Sequence, residues 1–351
     1  MSSISRTSSK KRGCLKWLGV AVGALALLLV ALLALTWLQG SGAKAALRAK
    51  YPPPGQMVDV GGYRMHIYCQ GSGSPTVVMD AGLGDFSLTW DLVQPAVAQS
   101  TRVCAYDRAG LGWSERGPKP RTVDNIVEEL HTLLTEGGIE GPYVLVGHSM
   151  GGVYVRAYAV RYPEEVVGMV LVDTSHEEQE TRFPQSFTEA NDRVQSQMAQ
   201  FLMLPRLVNS LGLMAMSPEE YPEEFLPPMP EAIVEEYKGV ILSDTRYFAT
   251  VAEQYAQLDG NMAEVREMNI TTLGDIPLVV LSAARTEIPE AYGLTAEEVA
   301  QVQAAWDEMQ AELAGLSSRG ERVIAEESSH YVQFDQPELV IDAIRQVLEA
   351  Q

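Results

Sequence analysis

The alternation of apolar and polar positions divides the chain into two parts. Residues 17–38, WLGVAVGALALLLVALLALTWL, form a run of 22 residues without a charge. No polar face interrupts the run, so it does not read as a helix of a soluble core. As a helix it is roughly 33 Å long, about one hydrocarbon core of a bilayer. Trp17 and Trp37 stand near its ends, where indole rings favour the membrane interface. From Tyr51 onward the rhythm changes. Short apolar runs predict strands over 64–69, 76–80, 102–106, 143–147, 166–172, 277–282 and 322–325. Helical spacing of apolar positions predicts helices over 122–136, 150–161, 295–316 and 338–348. Strands alternating with helices predict an α/β fold, with a mostly parallel central sheet covered on both faces.

The alternation stops between Asp173 and Pro277. That stretch is mainly helical and rich in Glu, Pro and Met, including Met198, Met203, Met214, Met216 and Met229. It reads as a helical cap inserted over the carboxyl ends of the strands, where open α/β sheets place their sites. Its methionines suit a lid for apolar or variable substrates, and equally suit flexible core packing. The resulting division is a basic N-terminus at 1–16, a transmembrane helix at 17–38 and a linker at 39–54 stiffened by Pro52, Pro53 and Pro54. The core occupies 55–175 and 273–351, and the insertion 176–272.

Charge sets the orientation. Lys10, Lys11, Arg12 and Lys16 precede the apolar run, against Lys44, Arg48 and Lys50 after it. This predicts a single-pass membrane protein with a cytoplasmic N-terminus and an extracytoplasmic body. The alternative is a signal peptide cleaved near Ala43-Lys44-Ala45, leaving a secreted body. A secretory apolar region is usually only about 7–15 residues, which favours the anchor. Beyond residue 38 the chain carries a net charge of −25. Such a body repels phosphate backbones, which excludes nucleic-acid binding. The acidity serves solubility or attracts cationic substrates. Cys69 and Cys104 lie in strand-like runs, as buried small residues or as a disulfide, and spacing does not decide between them. No Cys/His cluster has metal-ligand spacing, and no glycine-rich segment matches a phosphate or dinucleotide loop. No metal and no organic cofactor are therefore expected.

The chemistry centres on Gly147-His148-Ser149-Met150-Gly151, which follows the apolar strand YVLV and opens the helix MGGVYVRAYAV. Strand, tight turn and helix form the context of a nucleophile elbow. A serine on such a turn needs neighbours without bulk, and Gly147, Gly151 and Gly152 meet that need. The helix N-terminus favours negative charge developing nearby.

These motifs resemble the α/β-hydrolase family over about residues 55–350. Gly71-Ser72-Gly73-Ser74-Pro75 with TVVMDAGLGD resembles the first central strand and its oxyanion loop. Asp107-Arg108-Ala109-Gly110-Leu111-Gly112-Trp113-Ser114 resembles the turn after the next strand. Residues 168–173 resemble the strand that follows the nucleophile helix. Ser329-His330-Tyr331 with Gln336-Pro337-Glu338 resembles the histidine loop and last helix. The resemblance implies Ser149 as nucleophile and His330 as general base, and backbone N–H groups of Leu83 and Met150 as the oxyanion hole. Ala81-Gly82 departs from the His-Gly pair common before the first donor. Relatives place the acid after either of two strands, which here offers Asp173 or Glu287. Asp173 is preferred, although it also reads as a turn cap, and Glu287 also reads as a solvated loop charge. Among the other histidines, His66 and His131 read as structural, His148 points elsewhere on the turn, and His176 is the rival to His330. Asp107 and Arg108 read as architectural.

The implied activity is hydrolysis of a small-molecule carboxylic ester or related acyl substrate through an acyl-enzyme. A serine at position 149 argues against epoxide hydrolysis and dehalogenation, which on this fold use a carboxylate nucleophile. The alternatives are an acyltransferase or C–C hydrolase with the same residues, or a non-catalytic binding protein on the same scaffold.

Overall fold

The computed structural model describes residues 7–285, 288 and 290–351. Its strands are β1 (Gln56–Asp59), β2 (Arg64–Gln70), β3 (Thr76–Asp80), β4 (Val103–Tyr106), β5 (Tyr143–His148), β6 (Val166–Val172), β7 (Leu278–Ala283) and β8 (Gly320–Ala325). The helices are α1 (Thr7–Lys50), α2 (Gln94–Val97), α3 (Val123–Glu136), α4 (Met150–Arg161), α5 (Gln179–Arg182), α6 (Gln185–Phe201) and α7 (Met203–Ser210). They continue with α8 (Leu213–Met216), α9 (Glu231–Ser243), α10 (Tyr247–Met268), α11 (Ala296–Ala314), α12 (Val332–Asp335) and α13 (Pro337–Glu349).

The eight strands form one sheet in the order β1-β2-β4-β3-β5-β6-β7-β8. The first three in that order pair antiparallel and the others parallel. Every residue of β3, β4, β5 and β7 is buried, because parallel strands carry helices on both faces. This is why their sequences are continuous apolar runs rather than alternating ones. One face packs Ile126, Leu130 and Leu133 of α3 and Val153 and Ala157 of α4. The other packs Val97 of α2 and Val340, Ile344 and Val347 of α13, with Trp90. Local signals mark the helix ends. The Thr122 hydroxyl accepts from the Asn125 N–H, and Thr295 and Glu298 form a capping box at the start of α11.

The predicted elements recur with small shifts, and four features differ from or complete the sequence expectation. The edge strand β1 was not predicted; it is four residues long with one buried position, too little to leave a pattern. Cys69 and Cys104 are register partners on β2 and β4 and form a disulfide. The helix α10 is not wholly a cap element: Leu258, Met262 and Val265 join the core beside α3 and α4. At roughly 33 Å, α10 is long enough to serve both layers.

The fourth difference concerns the expected linker at 39–54. The helix α1 runs unbroken to Lys50, and only Tyr51 and the Pro52-Pro53-Pro54 stretch are non-helical. The last turns of α1 pack on α8 and α9. A Cβ on Gly40 would stand 2.0 Å from the Leu211 carbonyl oxygen, so backbone meets backbone there. The Lys44 ammonium is buried and donates to the Asn209 and Ser210 carbonyls at 3.1 and 3.2 Å. A cation thereby caps the C-terminal end of α7. Residues 17–38 remain exposed along their length, as a membrane-spanning candidate requires.

Substituting Gly40→Val should force α1 off the body. The expected cost is about 1–3 kcal/mol of overpacking. Limited trypsinolysis in detergent should then cut after Lys44, a site protected in the wild type.

Candidate active site

Ser149 occupies the turn between β5 and α4 with φ 52° and ψ −122°. A non-glycine residue in this region costs about 1–3 kcal/mol and persists only where its surroundings hold it. Here the surroundings leave no slack. A Cβ on Gly147 would lie 2.5 Å from the Gly152 backbone, and one on Gly151 would lie 2.4 Å from the Asp80 carbonyl oxygen. The Ser149 N–H donates to the Val172 carbonyl at 3.1 Å, and the Ser149 carbonyl accepts from the Thr174 hydroxyl at 2.7 Å. The serine is tied on both sides of its own Cα, to the last residue of β6 and to Thr174 just beyond it.

Asp173 follows β6 directly and also has a positive φ, 38°. Its Oδ1 accepts from the Ala283 N–H and from the Trp306 indole N–H, both at 3.0 Å. This leaves Oδ2 for His330, whose Nδ1 lies 2.7 Å away. Asp173 is buried, while the His330 side chain is 37% exposed and reaches the cavity. Glu287, the alternative acid, lies outside the described residues.

Ser149, Asp173 and His330 line one cavity of about 340 Å³, walled by Phe183, Tyr255 and Trp306. A second, of about 240 Å³, is lined by Leu83, Met150, Ser149 and His330 together. The two positions expected to supply oxyanion donors therefore flank the serine. Met150 is the first residue of α4, so the helix N-terminus faces that space.

The loop carrying Leu83 is held by buried charge. Arg108 donates to the Asp80 carboxylate and to the carbonyls of Ala81 and Gly82. Asp107 bonds His66 Nδ1 at 2.9 Å and accepts from the N–H groups of Ser87 and Trp113. Burial pushes the Asp107 carboxyl up, but His66 and these donors outweigh it and hold it below its ordinary range. Both residues are architectural, as the sequence suggested. Asp85 is different. It accepts from the hydroxyls of Tyr237 and Tyr331 at 3.1 and 3.2 Å, yet burial pushes its carboxyl up to about 6.

The remaining histidines separate cleanly. His131 stacks on Tyr162 with ring centroids 4.0 Å apart. His176 lines a different cavity with Arg156 and Glu177, 3.8 Å from Glu312, and does not join Ser149 there. His148 is buried beside the smaller cavity and contacts the His330 carbonyl oxygen through Nε2 at 2.8 Å. Burial, with His330 nearby, lowers its pKa well below the ordinary range. The neutral ring donates from Nε2 and so fixes the backbone of His330. Trp306, His148 and Asp85 were not legible as site residues. No motif marks them, and Trp306 is 133 positions from the carboxylate it contacts.

The comparisons agree with this architecture. The model of the Alpha/beta hydrolase family matches residues 77–343. The chain belongs to the alpha/beta hydrolase family. The chain is similar to a protein of Hormonema carpetanum named probable transporter efuK, 26% identical over 84% of this chain, which spans only 42% of that protein. It is similar to the uncharacterized protein YqjL of Bacillus subtilis, 25% identical over 79% of this chain and 85% of that one. Among solved structures it resembles a thermophilic esterase from Thermogutta terrifontis, with a TM-score of 0.57, 23% identity, and 84% and 99% of the two chains covered.

The Asp85 carboxyl generates a stability prediction for this hydrolase. Burial raises its folded pKa to about 6, from an ordinary value of 3.8. The native state therefore favours the protonated form, and stability falls as pH rises from about 4 through 6. Asp85→Asn removes this dependence. It should raise stability at pH 8 by up to about 3 kcal/mol, the worth of a two-unit shift, and have no effect near pH 4. Thermal melts of both proteins across that range check the sign.

Proposed function

We propose that the protein is a membrane-anchored serine hydrolase that cleaves a carboxylic ester, or a related acyl bond, through an acyl-enzyme on Ser149. The observation that carries this reading is the 2.7 Å pair between His330 Nδ1 and the buried Asp173 carboxylate, in the cavity that Ser149 also lines. The roles follow from the partners. Ala283 and Trp306 saturate one carboxylate oxygen, so the other accepts the His330 Nδ1–H. That fixes the tautomer with the proton on Nδ1 and the lone pair on Nε2, the form able to take the serine proton.

Ser149 Oγ attacks the carbonyl carbon while its proton passes to His330 Nε2. The tetrahedral oxyanion is held by the N–H groups of Leu83 and Met150. Collapse breaks the ester C–O bond, and His330 returns the proton to the leaving alkoxide. Water then attacks the acyl-enzyme, with His330 again accepting the proton, and releases the acid and free Ser149. The charge carried by the imidazolium is balanced by Asp173 throughout.

Residues 17–38 serve as the anchor, with the body outside the cytoplasm. The basic residues before the helix support that orientation, as does the Cys69–Cys104 disulfide, a bond that persists in oxidising compartments.

A fluorophosphonate probe should label the detergent-solubilised wild type and leave equally folded Ser149→Ala and His330→Ala unlabelled. Folded wild type that fails to label would overturn the reading. Asp173→Asn should lower kcat about 10⁴-fold, the effect of presenting the wrong tautomer, with little change in melting temperature.

A further inference from the structure

The hydrolase has an exposed apolar face outside the apolar run of α1. Met203, Leu204 and Leu207 on α7 are 60, 62 and 61% exposed, and Leu213 and Met216 on α8 are also exposed. Residues 194–218 contain a single charge, Arg206, in a body that carries a net −25. The segment that carries these side chains is thus free of acidic groups in an otherwise acidic chain. Isolated exposed apolar side chains need no explanation, but a contiguous set does.

Position identifies what covers this face. Gly40 of α1 packs against Gly212, in the link between α7 and α8. Gly40 lies two residues past the end of the apolar run, about 3 Å along the helix axis. The α7–α8 face therefore sits at the level where α1 leaves the hydrocarbon, beside the exposed Trp37 and Leu38. Lys44 fixes this arrangement by holding the carbonyls of Asn209 and Ser210. The exposed apolar residues of α7 and α8 therefore flank the point where the apolar run of α1 meets the body, and Arg206 is the one charge among them, a side chain suited to phosphate headgroups.

The same segment opens the site. A cavity of about 390 Å³ extends from Leu83 and Gly84 in the loop beside Ser149 to Phe201, Pro205, Met214 and Phe225. Phe201 and Phe225 line this cavity and are also 44 and 49% exposed, with rings 5.2 Å apart. They stand at its exposed end with Glu224, and Pro205 of α7 and Met214 of α8 line it too, so the cavity adjoins the segment that carries the apolar face.

We infer that α7 and α8 dock on the outer surface of the bilayer that α1 spans, and that the Phe201–Phe225 mouth admits substrates with long hydrocarbon chains directly from the lipid. This inference rests on the anchor and ester-hydrolase readings above and names the substrate class for them. A membrane-partitioned ester reaches Ser149 along an apolar path without crossing water, its chain in the cavity and its carbonyl beside Leu83.

The test uses the full chain in phosphatidylcholine nanodiscs. An environment-sensitive NBD fluorophore is placed at Leu204→Cys in a Cys14→Ser background, with Asp342→Cys as the control on α13. Fluorescence at position 204 should shift to the blue and be quenched by spin-labelled lipid, whereas position 342 should show neither change. The double variant Leu204→Glu/Leu207→Glu should hydrolyse water-soluble p-nitrophenyl acetate at the wild-type rate. Its hydrolysis of bilayer-embedded p-nitrophenyl palmitate should drop by about ten-fold or more, since burying these side chains drives docking. No quenching at 204, or palmitate hydrolysis equal to wild type, overturns the inference. Loss of acetate hydrolysis by the wild type would instead sink the ester-hydrolase reading, while the quenching result would still decide docking.

Discussion

Backbone against backbone at the β5–α4 turn sets the geometry of everything around it. Gly147 approaches Gly152, and Gly151 approaches the carbonyls of Asp80 and Ala81, with no room for a Cβ at either contact. The first contact bends the chain sharply enough to place Ser149 at φ 52°. The second brings the end of β3 against the start of α4, so the loop carrying Leu83 lies beside the serine. Strain of this kind survives because the flanking strand is wholly buried and cannot relax without opening the core.

Buried charge around the turn is arranged for geometry more than for stability. Desolvating Arg108 and Asp80 costs much of what their attraction returns. What the pair does is hold two carbonyls of the oxyanion loop in place. Asp107 performs the same task for the neighbouring loop through His66, Ser87 and Trp113. Asp85 shows the limit of this economy: two tyrosine hydroxyls are too few to offset its burial.

The apolar run of α1 has a second consequence once it is seen to continue into the body. A flexible tether would let the body turn freely relative to the apolar helix. An unbroken helix clamped by Gly40 and Lys44 fixes which face of the insertion lies against it. The insertion is itself a small core, with Phe86 and Leu111 from the sheet side, Ile241 and Phe248 from the insertion, and Leu47 and Tyr51 packed beside them. The apolar helix and the insertion are one mechanical unit.

The sequence by itself determined the strand–helix alternation, the mostly parallel sheet, the glycine-flanked turn at Ser149 and the apolar helix. Each of these depends on short-range pattern: periodicity, glycine where a Cβ cannot fit, and apolar runs where both faces are covered. It also placed Ser149, His330 and Asp173 in the order that the resemblance implied, but offered Glu287 beside Asp173. Tertiary structure alone brought Asp173 to His330 and gave its other oxygen to Trp306. It alone decided that Cys69 faces Cys104, that His176 lies in another cavity, and that 39–50 is helix packed on the body rather than linker. Those outcomes depend on contacts between residues tens to hundreds of positions apart, and neither spacing nor propensity encodes which distant partner a side chain will meet.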